Sequence, residues 1–65
     1  MTELFSISIA DEIVEVRREL VMRRKVYPRR VAQGDITPQR AARQIAVLEP
    51  VLERLKQVAA QGGMT

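Results

Sequence analysis

A chain of 65 residues with no cysteine, no histidine and a net charge of +3 makes at most one small domain. A domain of this size buries a low fraction of its surface, so it commonly depends on disulfides, a metal ion or oligomerisation. The absence of cysteine excludes disulfides and thiolate metal sites, and the absence of histidine removes the usual zinc ligand and general base. Oligomerisation is therefore the expected means of stabilising this fold.

The charge is spread unevenly along the chain. Residues 17–43 contain nine basic side chains against Glu19 and Asp35, a net of +7, whereas everything outside this stretch sums to −4. This distribution predicts a molecule with a basic middle and acidic flanks. Phe5 and Tyr27 are the only aromatic residues, so the core is expected to be aliphatic.

The sequence predicts neither a membrane span nor a signal peptide. No apolar run approaches the roughly 18 residues that a spanning helix needs. The apolar stretch at residues 4–10 is interrupted by Ser6 and Ser8, and Glu3 precedes it in place of a basic segment. A cytoplasmic location without membrane contact is the expectation.

Residues 9–33 are predicted to form a first helix. Ser8 followed by Asp11 is a capping signature at its start. Apolar side chains then recur mostly at steps of three and four residues, which is helical spacing rather than strand alternation. These residues are Ile9, Ile13, Val16, Leu20 and Tyr27. At Pro28 we expect a kink over residues 24–28 followed by continued helix; a new short turn starting at Pro28 is the alternative.

The sequence Gly-Asp-Ile-Thr-Pro at residues 34–38 carries the clearest local signal in the chain. Gly34 is typical of the residue after a helix, Thr37 of an N-cap, and Pro38 of a first helical position. One helix ends and another begins within about four residues, and such a short link makes antiparallel neighbours.

Residues 38–60 are predicted to form a second helix with two adjacent apolar lines. Pro50 is expected to bend this helix, and Gly62 and Gly63 are expected to end it. The first line has an unbroken heptad spacing: Ala41, Ile45, Leu48, Leu52, Leu55 and Ala59. The second line consists of Ala42, Val47, Val51 and Val58.

The predicted fold is all-α: a single domain over residues 1–65, built as an antiparallel two-helix hairpin that dimerises into a four-helix bundle. Two helices contact each other along a single line of residues. A wide apolar stripe on each helix therefore remains exposed to solvent unless a second hairpin covers it. A monomeric hairpin that is stable only with its target is the alternative. The predicted core and dimer seam consists of Ile13, Leu20, Ile45, Leu48, Leu52 and Leu55.

Three segments are candidates for function, each with a purely structural alternative. Arginines in residues 17–30 suit phosphate or carboxylate recognition, or form a solvated helix face. Arg23 is exceptional because it falls on the apolar line, where it either snorkels, pairs with an acidic residue or faces a partner. Tyr27 is either an aromatic anchor for a partner or a half-buried core residue. The alternating residues 4–9 either add to a partner's sheet or fold back. The predicted partner contacts are Arg23, Arg24, Tyr27 and Arg30.

Enzymatic constellations are not expected. The serines near the start have no histidine to activate them, and no glycine-rich phosphate loop is present. We therefore predict a non-enzyme with no catalytic residue, cofactor or metal site. The carboxylates of the first helix are expected to balance a neighbour's arginines rather than to bind a metal ion. They are Asp11, Glu12, Glu15 and Glu19.

Nucleic acid is a less favoured partner than protein. The sequence has no helix-turn-helix spacing, almost no aromatic residues for stacking on single strands, and acidic flanks that a phosphate backbone repels. A basic dimer that clamps duplex DNA without reading its sequence stays open as an alternative. A structural or assembly component of a virion is another.

The pattern R-R-x-V-Y-P-x-x-V-x-x-G-x-x-T-x-x-x-A-x-x-Q-I, which runs from Arg23 to Ile45, resembles a family of very small phage and prophage proteins. The resemblance covers about residues 12–56, and its Val-Tyr-Pro and Gln-Ile elements are the distinctive ones. The family includes a phage quorum-sensing anti-activator, a dimeric helical hairpin that inhibits a LuxR-type transcription factor of its Pseudomonas host and acts on a pilus-assembly ATPase.

The resemblance implies a phage-encoded protein that takes part in host takeover from the cytoplasm of a bacterium. We expect it to form a homodimer and to inhibit a host regulatory protein, such as a LuxR-type regulator, by covering a surface that the target needs for DNA binding or assembly. The target itself does not carry over from the family.

Overall fold

A computed structural model describes residues 7–62, which fold into two α-helices joined by a short turn. Helix α1 spans Ile9–Ala32 and helix α2 spans Pro38–Gly62. Helix α1 ends one residue before the predicted boundary, and α2 continues two residues past its predicted end. Within residues 7–62 there is no β-strand, which confirms the predicted all-α helical hairpin. Residues 4–6, the first half of the alternating segment at residues 4–9, lie outside the described residues, as does Gly63.

The start of α1 is fixed by a reciprocal pair of hydrogen bonds. The Ser8 hydroxyl accepts a bond from the backbone N–H of Asp11 at 3.1 Å, and the Asp11 carboxylate accepts one from the backbone N–H of Ser8, also at 3.1 Å. This capping box satisfies two backbone donors that a helix end leaves free. The predicted capping role of Ser8 is confirmed, and the acidic first turn, Asp11 and Glu12, complements the helix dipole.

Helix α1 continues through Pro28, and the arginines that follow lie in its last turn. The predicted continuation past this residue is therefore confirmed, and no new element starts there. The proline removes the hydrogen bond that Arg24 would otherwise accept, so helix must persist here for reasons other than local propensity. Burial of α1 on both sides of Pro28 supplies that reason, because Leu20 is buried and Val31 is half-buried.

A left-handed glycine ends α1. Gly34 has φ +80°, the only positive value among the described residues, and glycine adopts it without a steric penalty. The N–H of Gly34 donates to the carbonyl of Val31, and the N–H of Asp35 donates to that of Arg30 at 2.9 Å. These two bonds form a Schellman motif, which satisfies carbonyls that the helix would otherwise leave free. The predicted role of Gly34 is confirmed.

Helix α2 begins as its sequence predicts. The Thr37 hydroxyl accepts a hydrogen bond from the backbone N–H of Arg40 at 3.1 Å, which is the N-cap geometry. Pro38 occupies the first helical position, where its missing N–H has no cost. The chain therefore reverses direction within the five residues between the helices, and α2 runs back along α1.

The core between the helices is small. Leu20 is 3% exposed and Ala41 is 7% exposed, and no other described residue is fully buried. The remaining residues of the predicted seam are half-buried: Ile13, Ile45, Leu48, Leu52 and Leu55. The shortest dimension of the molecule, 14 Å, is close to the diameter of a single helix. The hairpin is thus one layer thick, with no second layer over either face.

Candidate functional site

Arg23 holds the two helices together from within the apolar line of α1. Its Nε donates to the Glu19 carboxylate at 2.8 Å, and its Nη1 donates to the backbone carbonyl of Gln44 in α2 at 2.7 Å. The guanidinium carbon also lies 6.0 Å from the centre of the Tyr27 ring, within the range of a cation–π contact. Of the interpretations left open by the sequence, pairing with an acidic residue is the one that the structure contains.

Tyr27 reaches the same residue of α2 through its hydroxyl. The Tyr27 O–H donates to the side-chain oxygen of Gln44 at 2.8 Å, and the ring is half-buried. Gln44 therefore accepts one bond on its backbone oxygen from Arg23 and one on its side chain from Tyr27. The interpretation of Tyr27 as a half-buried residue of the hairpin is the one that the structure supports.

Arg24 lies one position along and crosses to a different residue of α2. Its Nη2 is 2.6 Å from a carboxylate oxygen of Glu49, and both side chains are about half exposed. A pair this open to solvent contributes about 0–1 kcal/mol of stability. Arg24 is consequently held in place weakly and remains accessible to a partner.

The four predicted contact residues thus separate into two groups. Arg23 and Tyr27 are committed to contacts between the helices. Arg24 is accessible but paired, and Arg30 is exposed and forms no ion pair with any residue in the described range 7–62. Sequence reasoning did not identify Gln44 as the common acceptor, because its role depends on which turn of α2 faces Arg23.

The hairpin also gathers basic residues that are distant in sequence. At the turn end, residues 23–46 contain seven basic side chains against Asp35, a net of +6. The other end of the described chain, residues 7–22 and 47–62, has four basic and six acidic side chains, a net of −2. We call these the basic tip and the open end. Four arginines of the tip are exposed and form no ion pair within residues 7–62: Arg29, Arg30, Arg40 and Arg43.

Several large apolar side chains are exposed on the two helices. Ile7, just before α1, and Val14 and Val21 within it recur every seven residues and are 71%, 52% and 65% exposed. On α2, Val47 and Val58 are 52% and 47% exposed. Sequence analysis identified the line on α2 that contains these valines, and the structure leaves it uncovered.

The surface of the described hairpin has a groove and two depressions. Near the open end, an open groove of about 750 Å³ runs between the helices, with Val16, Val51 and Leu55 among its lining residues and Glu12 at its side. One helical turn further along, Val47 lines a depression together with Arg23 and Arg40. A further depression at the basic tip contains Arg30 and again Arg40.

Neither a membrane span nor a metal site is present in the described part of the chain. No helix within residues 7–62 has both the length and the apolar character to cross a bilayer. The same residues contain no group of three or more acidic side chains placed to hold a metal ion. The features that the described structure offers for recognition are therefore the basic tip and the exposed apolar lines.

Comparison of the chain with protein-family models, with curated proteins and with solved structures gave no match.

Proposed function

We propose that this protein is a homodimeric, protein-binding modulator that acts by covering a surface of its target. The observation that carries the proposal is the hairpin's single layer: valines lie exposed on α2, and of the residues 7–62 only Leu20 and Ala41 are buried. A chain of 65 residues with so small a core is marginal on its own. A second polypeptide that covers the exposed apolar lines would bury more apolar surface and so stabilise the fold.

The exposed apolar side chains have the arrangement expected of an interface rather than of scattered surface residues. Val47, Val51 and Val58 follow one line along α2, and two residues of α1 and α2, Val16 and Leu55, lie beside them. Contiguous apolar surface with a charged rim is typical of protein interaction sites. Burial of such surface favours association, because transfer of apolar area out of water contributes about 25 cal/mol per Å² before the entropic costs of binding.

The proposed target is a regulatory protein of a bacterial host. The resemblance of residues 12–56 to small phage proteins supports this class of partner, with a LuxR-type transcription factor as the first candidate and a pilus-assembly ATPase as a second. In this proposal the protein acts in the host cytoplasm and blocks the target's DNA binding or assembly. Arg24 and Arg30 of the basic tip supply the accessible charges for the contact.

The basic tip also gives a specific reason to test DNA as an alternative partner. Its four exposed arginines without an ion pair suit a phosphate backbone. Two features favour protein over DNA: the open end is acidic, and the hydroxyl of the single tyrosine is bonded to Gln44, with its ring half-buried. Binding to duplex DNA would weaken steeply as salt concentration rises, whereas binding through an apolar face would not.

A pull-down from nuclease-treated Pseudomonas lysate tests the proposed function, with captured proteins identified by mass spectrometry. We expect the wild-type chain to retain one host regulator in stoichiometric amount. The Arg24→Glu variant should remain folded, because its pair with Glu49 is exposed, and should retain about tenfold less of the regulator.

Lys56→Glu is the matched control for that experiment. Lys56 is also an exposed basic residue in an ion pair, with Glu53 at 3.2 Å, but it lies at the open end. We expect it to retain as much regulator as the wild type. Recovery of nucleic acid alone, or loss of every captured protein after nuclease treatment, would contradict the protein-binding function and favour the DNA-binding alternative.

A further inference from the structure

We infer that the groove at the open end of the hairpin binds a cationic amphipathic helix of another protein. The apolar side of that helix packs on the floor of the groove, and its basic side chains pair with carboxylates along the edge. The inference goes beyond the proposed function, whose charged contacts, Arg24 and Arg30, lie at the basic tip.

Both helices contribute to the apolar floor of the groove. Val14 and Val16 from α1 and Val51 and Leu55 from α2 are among the residues that line its volume of about 750 Å³. Val14 is 52% exposed, and the other three are half-buried. An open apolar channel between two packed helices has the shape into which the apolar side of a third helix fits.

The edge of the groove is acidic. Asp11, Glu12 and Glu15 of α1 line it, and no basic side chain is among the described residues that do so. All three acidic residues are exposed. Asp11 and Glu15 are one helical turn apart, about 6 Å along α1, and therefore lie on the same side of the helix. Basic side chains four residues apart on a ligand helix have the same spacing.

These carboxylates are available to a ligand. Glu12 forms no ion pair within residues 7–62. Glu15 is 3.3 Å from Arg18, but both side chains are largely exposed, so water screens the pair and it is weak. Asp11 accepts the backbone N–H of Ser8, and its carboxylate keeps further acceptor positions for a second donor.

The combination of floor and edge determines the chemistry of the ligand. A nucleic acid or an acidic peptide would be repelled by the edge, and a wholly apolar ligand would leave the carboxylates without partners. A second copy docked groove to groove about a two-fold axis would bring two acidic edges together. A helix with an apolar side flanked by lysine or arginine satisfies both parts of the groove. Exposed valines outside it, such as Val21 and Val47, remain for the homodimer of the proposed function.

Fluorescence anisotropy with a synthetic peptide tests this inference on the 65-residue chain. The probe is a fluorescein-labelled helical peptide of about four turns, with leucines on one side and lysines on the other. A second peptide carries glutamate in place of every lysine. We expect saturable binding of the lysine peptide to the wild-type chain and no binding of the glutamate peptide.

Glu12→Lys and Asp35→Lys are matched charge variants for this measurement. Both acidic residues are exposed and have no ion pair within residues 7–62, and each substitution changes the net charge by the same amount. Asp35 lies on the order of 30 Å away along α1, well beyond the screening length of about 8 Å at physiological salt. We expect the dissociation constant of the lysine peptide to rise about tenfold for Glu12→Lys and less than about twofold for Asp35→Lys. Glu12→Gln should raise it about threefold, which keeps the test open if circular dichroism shows that Glu12→Lys is not folded.

Val14→Ser and Val21→Ser test the floor without changing the charge. The two valines lie seven positions apart on α1 and are similarly exposed, but only Val14 lines the groove. Loss of the apolar contact at Val14 should weaken binding of the lysine peptide about fivefold, whereas Val21→Ser should leave the dissociation constant unchanged.

The outcomes separate this inference from the proposed function. Absence of binding, or equal effects within either matched pair, would overturn the inference. A wild-type dimer that does not bind the peptide and is dissociated by Val14→Ser would assign the groove to a second copy and overturn it as well. Retention of a host regulator in the pull-down, and its loss in Arg24→Glu, depend on the other end of the hairpin, so the proposed function stands or fails independently.

Discussion

Leu20→Ala is expected to cost more stability than any other truncation in the described chain. Leu20 is 3% exposed and is the only large side chain that is buried in the described part of the chain. Truncation of a buried leucine costs about 2–5 kcal/mol, because the transfer free energy is lost and a cavity remains. A domain of this length has a total stability of about 3–10 kcal/mol. We therefore expect a large fall in the urea midpoint, measured by far-ultraviolet circular dichroism, and partial unfolding even without urea.

Val21→Ala is the control for that measurement. Val21 is the next residue in α1, is 65% exposed and loses a similar amount of aliphatic volume. Alanine is a better helix former than valine, so the free energy of unfolding should change by less than about 0.5 kcal/mol. Equal losses at positions 20 and 21 would contradict the assignment of Leu20 to the core of the hairpin.

Arg23→Ala is expected to have the second largest effect. The substitution removes the bonds to Glu19 and to the Gln44 carbonyl, together with the contact over the Tyr27 ring. It leaves a partly buried carboxylate without its partner, and the expected loss is about 1–3 kcal/mol in the free energy of unfolding. Arg23→Lys should recover only part of it, because an ammonium group cannot replace a planar fork that donates in two directions.

Arg24→Ala is the matched control for Arg23. It removes one exposed ion pair, with Glu49, and should cost at most about 1 kcal/mol in the same urea titration. Equal losses of stability for Arg24→Ala and Arg23→Ala would contradict the role of the hydrogen bond from Arg23 to the Gln44 carbonyl as the stronger contact between the two helices.

The ends of the helices could be predicted from the sequence because their signals are local. The Ser8 capping box, Gly34 at φ +80° and the Thr37 N-cap each depend on residues within four positions. The heptad spacing in α2 likewise fixes which of its sides faces α1. The antiparallel orientation of the two helices could be predicted from the short link at residues 33–37.

The cross-helix contacts could not be predicted in the same way. Whether Arg23 faces Gln44 or a residue one turn away depends on the geometry of the turn at residues 33–37, which sets the register between the helices. Arg24 and Glu49 are separated by 25 positions, and nothing in their local sequence links them. The acceptor of the Tyr27 hydroxyl was unspecified for the same reason.

The residue types at the candidate site do not by themselves show whether a side chain binds a partner or stabilises the hairpin. An arginine on an apolar line and a tyrosine beside a proline suit a partner's surface and the inside of a hairpin equally well. The structure gives Arg23 and Tyr27 partners within the chain. The segment from Arg23 to Ile45 consequently contains several residues that shape the hairpin, among them Gly34, Thr37 and Gln44. The exposed arginines of the basic tip without an ion pair within residues 7–62 are left for recognition of a target.

Sedimentation equilibrium of the purified wild-type chain over a range of concentrations tests whether the hairpin forms a homodimer. We expect a species of roughly twice the chain mass of 7.4 kDa, dissociating only on strong dilution, because a second copy would cover the apolar surface that the single-layer hairpin leaves exposed. A folded, fully helical species that stays at 7.4 kDa across the whole concentration range would contradict it.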